Sequence, residues 1–246
     1  MLCEHLFRPL AHVVVLALLP LRVPPPAVVL AGASVGIGGA VELARGHLVV
    51  AALLIQLKTV LDNADGQLAR LSGRVTAFGR YLDSESDLLV DAALFAALGW
   101  YTARPGAAVA GFVALTAVLS VNFNLERLAR RTPTADEAVS GATAALARLY
   151  AVVYGWQDAL VERFVERRLS GASAAARLAY HDPMTATFLA NLGMSTQLAA
   201  FGICVASGHP LAYVWLLLGQ LALVAALLVR RELLVQPKGE VSLEHR

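Results

Sequence analysis

Six stretches of about 20 mostly apolar residues follow one another along this chain, at 27–44, 47–69, 77–103, 106–129, 184–207 and 209–230, each long enough as an α-helix to cross the hydrocarbon of a bilayer. Backbone N–H and C=O groups find no water at that depth. A spanning segment must therefore satisfy them internally, which a helix does. Gly and Pro mark the joins: Arg45-Gly46 after the first stretch, Arg104-Pro105-Gly106 after the third and Gly208-His209-Pro210 after the fifth. The composition agrees, with 58% apolar and only 15% charged residues in the 246. A soluble domain carries about 25% charged residues, so this chain has too little polar surface to cover itself in water. The expectation is an all-α integral membrane protein of six transmembrane helices, with the bilayer as a partner and no nucleic acid.

The remaining segments read differently. Residues 1–26 are apolar but broken by Glu4, His5, Arg8 and His12, and they end in Pro24-Pro25-Pro26. That pattern predicts an amphipathic helix lying in the interface. The run His12–Leu19 is short and leads into Arg22 without a small-residue cleavage site, so no cleavable signal is expected. Residues 132–183 alternate charges with apolar residues at helical spacing, among them Leu149, Val152, Trp156, Leu160 and Phe164. They predict a cytoplasmic helical connector between spans four and five, which either packs beneath the bundle or helps to bind an acceptor. One membrane domain is thus expected over 1–246: interfacial helix 1–26, spans one to four in 27–131, connector 132–183, spans five and six in 184–232, and tail 233–246. Cys3 and Cys204 form no disulfide framework. Of the 20 Lys and Arg, only Arg45 and Arg104 fall opposite the side that carries the termini. The basic side is expected to be cytoplasmic, in the cell membrane.

The chemistry concentrates in 62–87. Asp62, Asp65, Gly66, Ala69 and Arg70 recur at i, i+3, i+4, i+7 and i+8, one face of a helix. Gly79, Asp83 and Asp87 do the same in the next span. The intervening Leu71–Phe78 is long enough to return the chain, so two carboxylate faces can meet at the cytoplasmic end of adjacent helices. An ionised Asp at mid-membrane depth costs about 2.5–3.5 kcal/mol on insertion scales, and four together repel one another. Arg70 cannot balance them alone. Divalent cations can, and all-oxygen ligation points to hard ions such as Mg²⁺ or Mn²⁺. Two ions bridged by carboxylates is an arrangement used for phosphoryl chemistry. Gly66, Ala69 and Gly79 clear space for a ligand, or for close helix packing.

These residues fit the pattern D-x-x-D-G-x-x-A-R-x8-G-x3-D-x3-D at every fixed position: Asp62, Asp65, Gly66, Ala69, Arg70, Gly79, Asp83 and Asp87. The stretch resembles the signature of the CDP-alcohol phosphotransferase family. The resemblance implies transfer of a phosphoalcohol, such as a phosphatidyl group, from a CDP-linked donor to a hydroxyl acceptor, with release of CMP. CDP-diacylglycerol or another CDP-alcohol would be the donor. It implies that Asp62, Asp65, Asp83 and Asp87 hold two divalent metal ions. Asp62, Gly66, Ala69, Arg70 and Gly79 would bind the donor, with Asp83 and Asp87 catalytic and Asp87 the general base. A homodimer is also compatible with it. The chain departs from the family at the start of the first span, where Pro24-Pro25-Pro26-Ala27-Val28-Val29 lacks the Asn and Thr that members often carry.

Weaker signals surround this core. Asp91 lies one turn beyond Asp87 and could orient an acceptor hydroxyl. Arg127, Arg130 and Arg131 close the fourth span and could fork an acceptor phosphate, or meet lipid headgroups. Lys58, one turn before Asp62, snorkels or pairs with a carboxylate. Glu85 points off the aspartate face and is set aside as a ligand, and His181-Asp182-Pro183 reads as a turn. The acceptor alcohol is not legible. Two other functions compete: a phosphotransferase using a CDP-polyol to make a soluble phosphodiester, and an ion-coupled transporter using the intramembrane aspartates. Intramembrane prenyltransferases are disfavoured because their aspartate motifs lie far apart in sequence.

Overall fold

The computed structural model of the chain describes residues 2–130, 141–156 and 191–235, and between the last two segments residues 159, 160, 163, 166 and 167. Among these residues every regular element is helical. In chain order they are α1 (Leu2–Leu18), α2 (Pro25–Ala44), α3 (Leu48–Leu71), α4 (Ala77–Thr102), α5 (Pro105–Arg130), α6 (Ala142–Tyr150), a π-helical turn (Ala151–Gly155), α7 (Met194–Ala206) and α8 (Leu211–Val235).

The first four expected helix boundaries are met within two residues, for local reasons, whereas the fifth is not: residues 191–193 form a turn and that helix begins only at Met194. Pro25 and Pro26 occupy the first turn of α2, where a missing N–H costs nothing. Gly46, at φ +81°, allows the reversal into α3. The side chain of Thr76 caps α4 by accepting the Gly79 N–H at 3.1 Å.

Among the described residues three helices are long and apolar enough to cross a membrane: Pro25–Ala44, Pro105–Asn124 and Leu211–Arg230. The described residues are all-helical and carry the long apolar helices of an α-helical membrane protein. Six spans were expected, and the other three candidates fall short for identifiable reasons. Helices α3 and α4 have the length, but α3 carries Lys58, Asp62, Asp65 and Arg70, and α4 carries Arg80, Asp83, Glu85, Asp87 and Asp91. The described part of the fifth candidate, α7, is 13 residues long, and 184–190 lie outside the described residues. Most of the connector also lies outside them. Its described part, α6, packs on α4.

Helix α2 packs against both α3 and α4, α1 and α7 flank α3, and α5 sits between α4 and α8. A single apolar core joins α2, α3, α4, α5, α7 and α8 through Leu43, Ile55, Leu94, Leu115, Phe201 and Leu217. The rings of Phe95 and Phe201 stack at 6.0 Å, with Tyr213 4.9 Å from Phe201. A smaller cluster of Ala11, Val15, Val28, Ala64 and Leu68 seats α1 on α2 and α3. Large apolar side chains such as Trp100, Val109, Val113, Ile203 and Trp215 face outward, as lipid contact demands and water contact does not.

Two interior features explain how polar side chains survive there. Buried Gln197 donates to Leu192 O at 3.1 Å and to Gln220 Oε1 at 2.8 Å, and accepts from the Tyr213 hydroxyl at 3.1 Å. Asn63 donates to Thr59 O at 2.8 Å and to Ser195 Oγ at 3.0 Å, fastening α3 to α7. Every hydrogen bond made inside the bundle removes the penalty of a bare polar group in hydrocarbon.

Candidate active site

The start of α2, the end of α3 and the start of α4 meet at one end of the bundle, because α3 and α4 run antiparallel about the turn at 72–76. Gly73, at φ +65°, makes that turn tight. The two acidic faces expected from the sequence therefore meet. Asp62 and Asp65 of α3 and Asp83 and Asp87 of α4 lie within electrostatic reach of one another.

Small residues make the approach possible. A Cβ on Gly32 of α2 would stand 3.1 Å from Asp62 Oδ1. On Gly36, one turn later, it would stand 2.5 Å from Val90 Cγ1 and 3.2 Å from Lys58 Cδ. These glycines let the α2 backbone close over the acids, and sequence reasoning missed them. The cue was there in the i, i+4 spacing of Gly32 and Gly36.

Lys58 is the other surprise. Its side chain is 1% exposed, and its Nζ donates both to Asp62 and, at 2.6 Å, to Asp87 Oδ1. The pairing expected of Lys58 thus extends across two helices. One ammonium against four carboxylates still leaves most of the negative charge uncompensated.

The donor set can be tested for fit to divalent cations. Asp65 is buried, and its Oδ2 has no hydrogen-bond partner. An ionised oxygen in that state needs a cation. All the donors are carboxylate oxygens, the chemistry that suits Mg²⁺ or Mn²⁺. Among the described residues no three His, Cys, Asp or Glu side chains already close around one point as a finished cage. The carboxylates fit hard divalent ions in chemistry and charge, with Lys58 occupying part of the space between them.

Beside the acids opens a cavity of about 340 Å³. Asp65, Gly66, Ala69, Arg70, Gly79 and Asp83 line it, so six of the eight signature residues share one hollow. The guanidinium of Arg70 folds back over Gly66, where a Cβ would meet its Nη1 at 3.4 Å. Three polar lining residues were not foreseen: Arg74, Thr76 and Arg80. Arg74 lies in the turn and Arg80 in the first turn of α4, both at positions the signature leaves open. Pro25, Pro26 and Val29 close its α2 side, in the segment where the chain departs from the family pattern.

Asp91 is buried one turn deeper. Glu85 lies on another side of α4, also buried, and its Oε1 lacks a hydrogen-bond partner. That side meets the connector, with Tyr81 edge-on to Tyr150 at 5.7 Å and Tyr150 beside Tyr154 at 5.2 Å. Burial first, and then the charges of Asp91, Glu85 and Asp87, hold the Tyr154 phenol above its usual range. The described part of the connector therefore packs against the helix that carries the acids. The side chains of Arg127, Arg130 and Arg131, and the segment His181-Asp182-Pro183, lie outside the described residues.

A model of the CDP-alcohol phosphatidyltransferase family matches residues 10–230. The chain is 39% identical to the phosphatidylinositol phosphate synthase of Corynebacterium glutamicum over 85 residues, 34% of this chain and 39% of that protein. It is 32% identical to a protein of the same name from Mycobacteroides abscessus over 104 residues, 42% and 47% of the two chains. It is 39% identical to a bifunctional IPC transferase and DIPP synthase of Thermococcus kodakarensis over 83 residues, 32% and 19% of the two. The chain spans less than half the length of these relatives. No solved structure matches it. The chain belongs to the CDP-alcohol phosphatidyltransferase family.

Proposed function

We propose that this protein transfers a phosphatidyl group from CDP-diacylglycerol to a hydroxyl acceptor, releasing CMP, as a step of phospholipid biosynthesis. The observation that carries the reading is the sharing of Asp65 and Asp83 between the acid cluster and the cavity lined by Gly66, Ala69, Arg70 and Gly79. A diphosphate seated in that hollow would reach the acids at one end and the arginines at the other.

The residues divide the work by their chemistry. Arg70, Arg74 and Arg80 supply guanidinium forks for phosphate oxygens. Gly66 and Gly79 leave room for the nucleotide. Asp62, Asp65, Asp83 and Asp87 would hold two divalent ions, Mg²⁺ or Mn²⁺, which when bound neutralise charge on the diphosphate and on departing CMP. The acceptor oxygen attacks the phosphorus that bears the diacylglycerol. The bond from that phosphorus to the CMP oxygen breaks, and the acceptor proton passes to the Asp87 carboxylate. Asp91 and the Arg127, Arg130 and Arg131 cluster would orient the acceptor. The relatives' names make a phosphorylated inositol the first acceptor to test.

The same reading includes one catalytic membrane domain over 1–246, six spans with α3 and α4 crossing as polar-lined helices, a site open to the cytoplasm and a homodimer. Support for the orientation comes from the basic residues Arg70, Arg74 and Arg80 around the site, by the positive-inside rule.

The test is CMP release by the purified protein from CDP-diacylglycerol, with Mg²⁺ or Mn²⁺, with and without inositol phosphate, and with a water-soluble CDP-polyol as a separate arm. Metal-dependent CMP release that requires an acceptor is expected. Turnover that survives exhaustive chelation, or no CMP from any CDP-linked donor, would remove the reading. Turnover of the soluble donor alone would move it to a CDP-polyol transferase.

A further inference from the structure

Lys58 is a cation sealed inside the bundle. Its side chain is 1% exposed, and the glycine face of α2 lies over its stem, with Gly36 so near that a Cβ would meet Lys58 Cδ at 3.2 Å. Its ammonium bonds Asp62, four residues on in α3, and Asp87, 29 residues on in α4. It therefore ties the first acid of the cluster to the last, across the seam that the signature straddles. Its α3 neighbours Ile55, Thr59 and Asn63 are neutral, so the charges that face it are those of the acids, Asp91 deeper in α4 included.

A buried ammonium and a divalent ion cannot share the same carboxylate oxygens without repulsion, because like charges a few ångströms apart in a weakly screened interior oppose each other strongly. We propose that Lys58 is an internal counter-cation that exchanges with the divalent metal. Without metal it bridges Asp62 and Asp87 and keeps α3 and α4 together. When metal is bound, the ammonium leaves the oxygens that the metal takes. Two consequences follow. The metal-free protein stays folded, and its affinity for metal is weaker than four bare aspartates would give. Lys58 is thus a positioning residue, acting through Asp62 and Asp87. The inference rests on the reading of the four aspartates as metal ligands.

The test compares wild type with Lys58→Met, Lys58→Gln and Lys58→Arg in detergent, measuring the thermal midpoint in chelator and in saturating Mn²⁺, and Mn²⁺ affinity by the loss of the free-ion electron paramagnetic resonance signal. Wild type and Lys58→Arg are expected to melt at similar temperatures in both buffers. The two neutral variants are expected to lose stability in chelator, to regain it in Mn²⁺, and to bind Mn²⁺ at least tenfold more tightly. An equal loss in both buffers would make Lys58 a packing residue and overturn the exchange. So would unchanged or weakened Mn²⁺ binding, or neutral variants that do not fold even with Mn²⁺ present. Wild type that binds no Mn²⁺ would overturn the metal reading of the aspartates together with the exchange. Normal wild-type binding with unaltered variants would overturn the exchange alone.

Discussion

Gly36 of α2 and Val90 of α4 touch so closely that a Cβ on the glycine would lie 2.5 Å from Val90 Cγ1. This contact sets how near α2 comes to the helix that carries Asp83 and Asp87, and so how tightly Lys58 and Asp62 are enclosed. Gly36→Leu should destabilise the bundle by about 1–3 kcal/mol, the usual cost of overpacking. Gly38→Ala, where the nearest atom would be Leu54 Cδ1 at 3.8 Å, should not destabilise the bundle, since Ala is favoured over Gly inside a helix. Thermal unfolding in detergent measures both.

Asp87 is the proposed base and one of the proposed metal ligands, so its exchange for asparagine, read at saturating Mn²⁺, keeps shape while removing the proton acceptor. Asp87→Asn should lower kcat for CMP release by about 10²–10⁴-fold, the range that general-base catalysis contributes. The donor KM should move far less. A loss seen mainly in KM would instead assign Asp87 to donor binding.

Arg74 and Arg80 line the hollow from positions the signature leaves open. Each charge-assisted hydrogen bond to a phosphate is worth about 1.5–3 kcal/mol. Arg74→Ala and Arg80→Ala should therefore raise the donor KM about tenfold or more. If neither substitution alters KM, the cavity is not where the diphosphate sits.

Thr76 both lines the hollow and caps α4 by accepting the Gly79 N–H at 3.1 Å. Thr76→Ala should cost about 1 kcal/mol of stability, whereas Thr76→Ser should retain the cap. Hydrogen exchange at the first turn of α4 is the sensitive readout, since fraying begins there.

Gln197 joins α7 to α8 through Gln220 and Tyr213 inside the core. Gln197→Leu strands both partners and should cost about 1–3 kcal/mol. A stability unchanged from wild type would mean that the partners re-pair with each other.

Much of this protein follows from local order in the chain. Apolar runs of bilayer length dictate helices, because no other single segment satisfies its own backbone in hydrocarbon. The spacing of Asp62, Asp65 and Gly66, and of Gly79, Asp83 and Asp87, dictates two acidic faces, because helical periodicity leaves them nowhere else to point. The family was legible for the same reason: its signature lies within 26 consecutive residues and needs no knowledge of the fold. What the chain could not reveal alone was the neighbourhood of those faces. Lys58 meets Asp87, Gly32 meets Asp62, Arg80 joins Arg70 around one hollow, and Tyr150 of the connector comes up against Tyr81 of α4. Each depends on how far α2, α3, α4 and the connector rotate and slide against one another. Packing of side chains over the whole bundle sets that rotation, and no single segment encodes it.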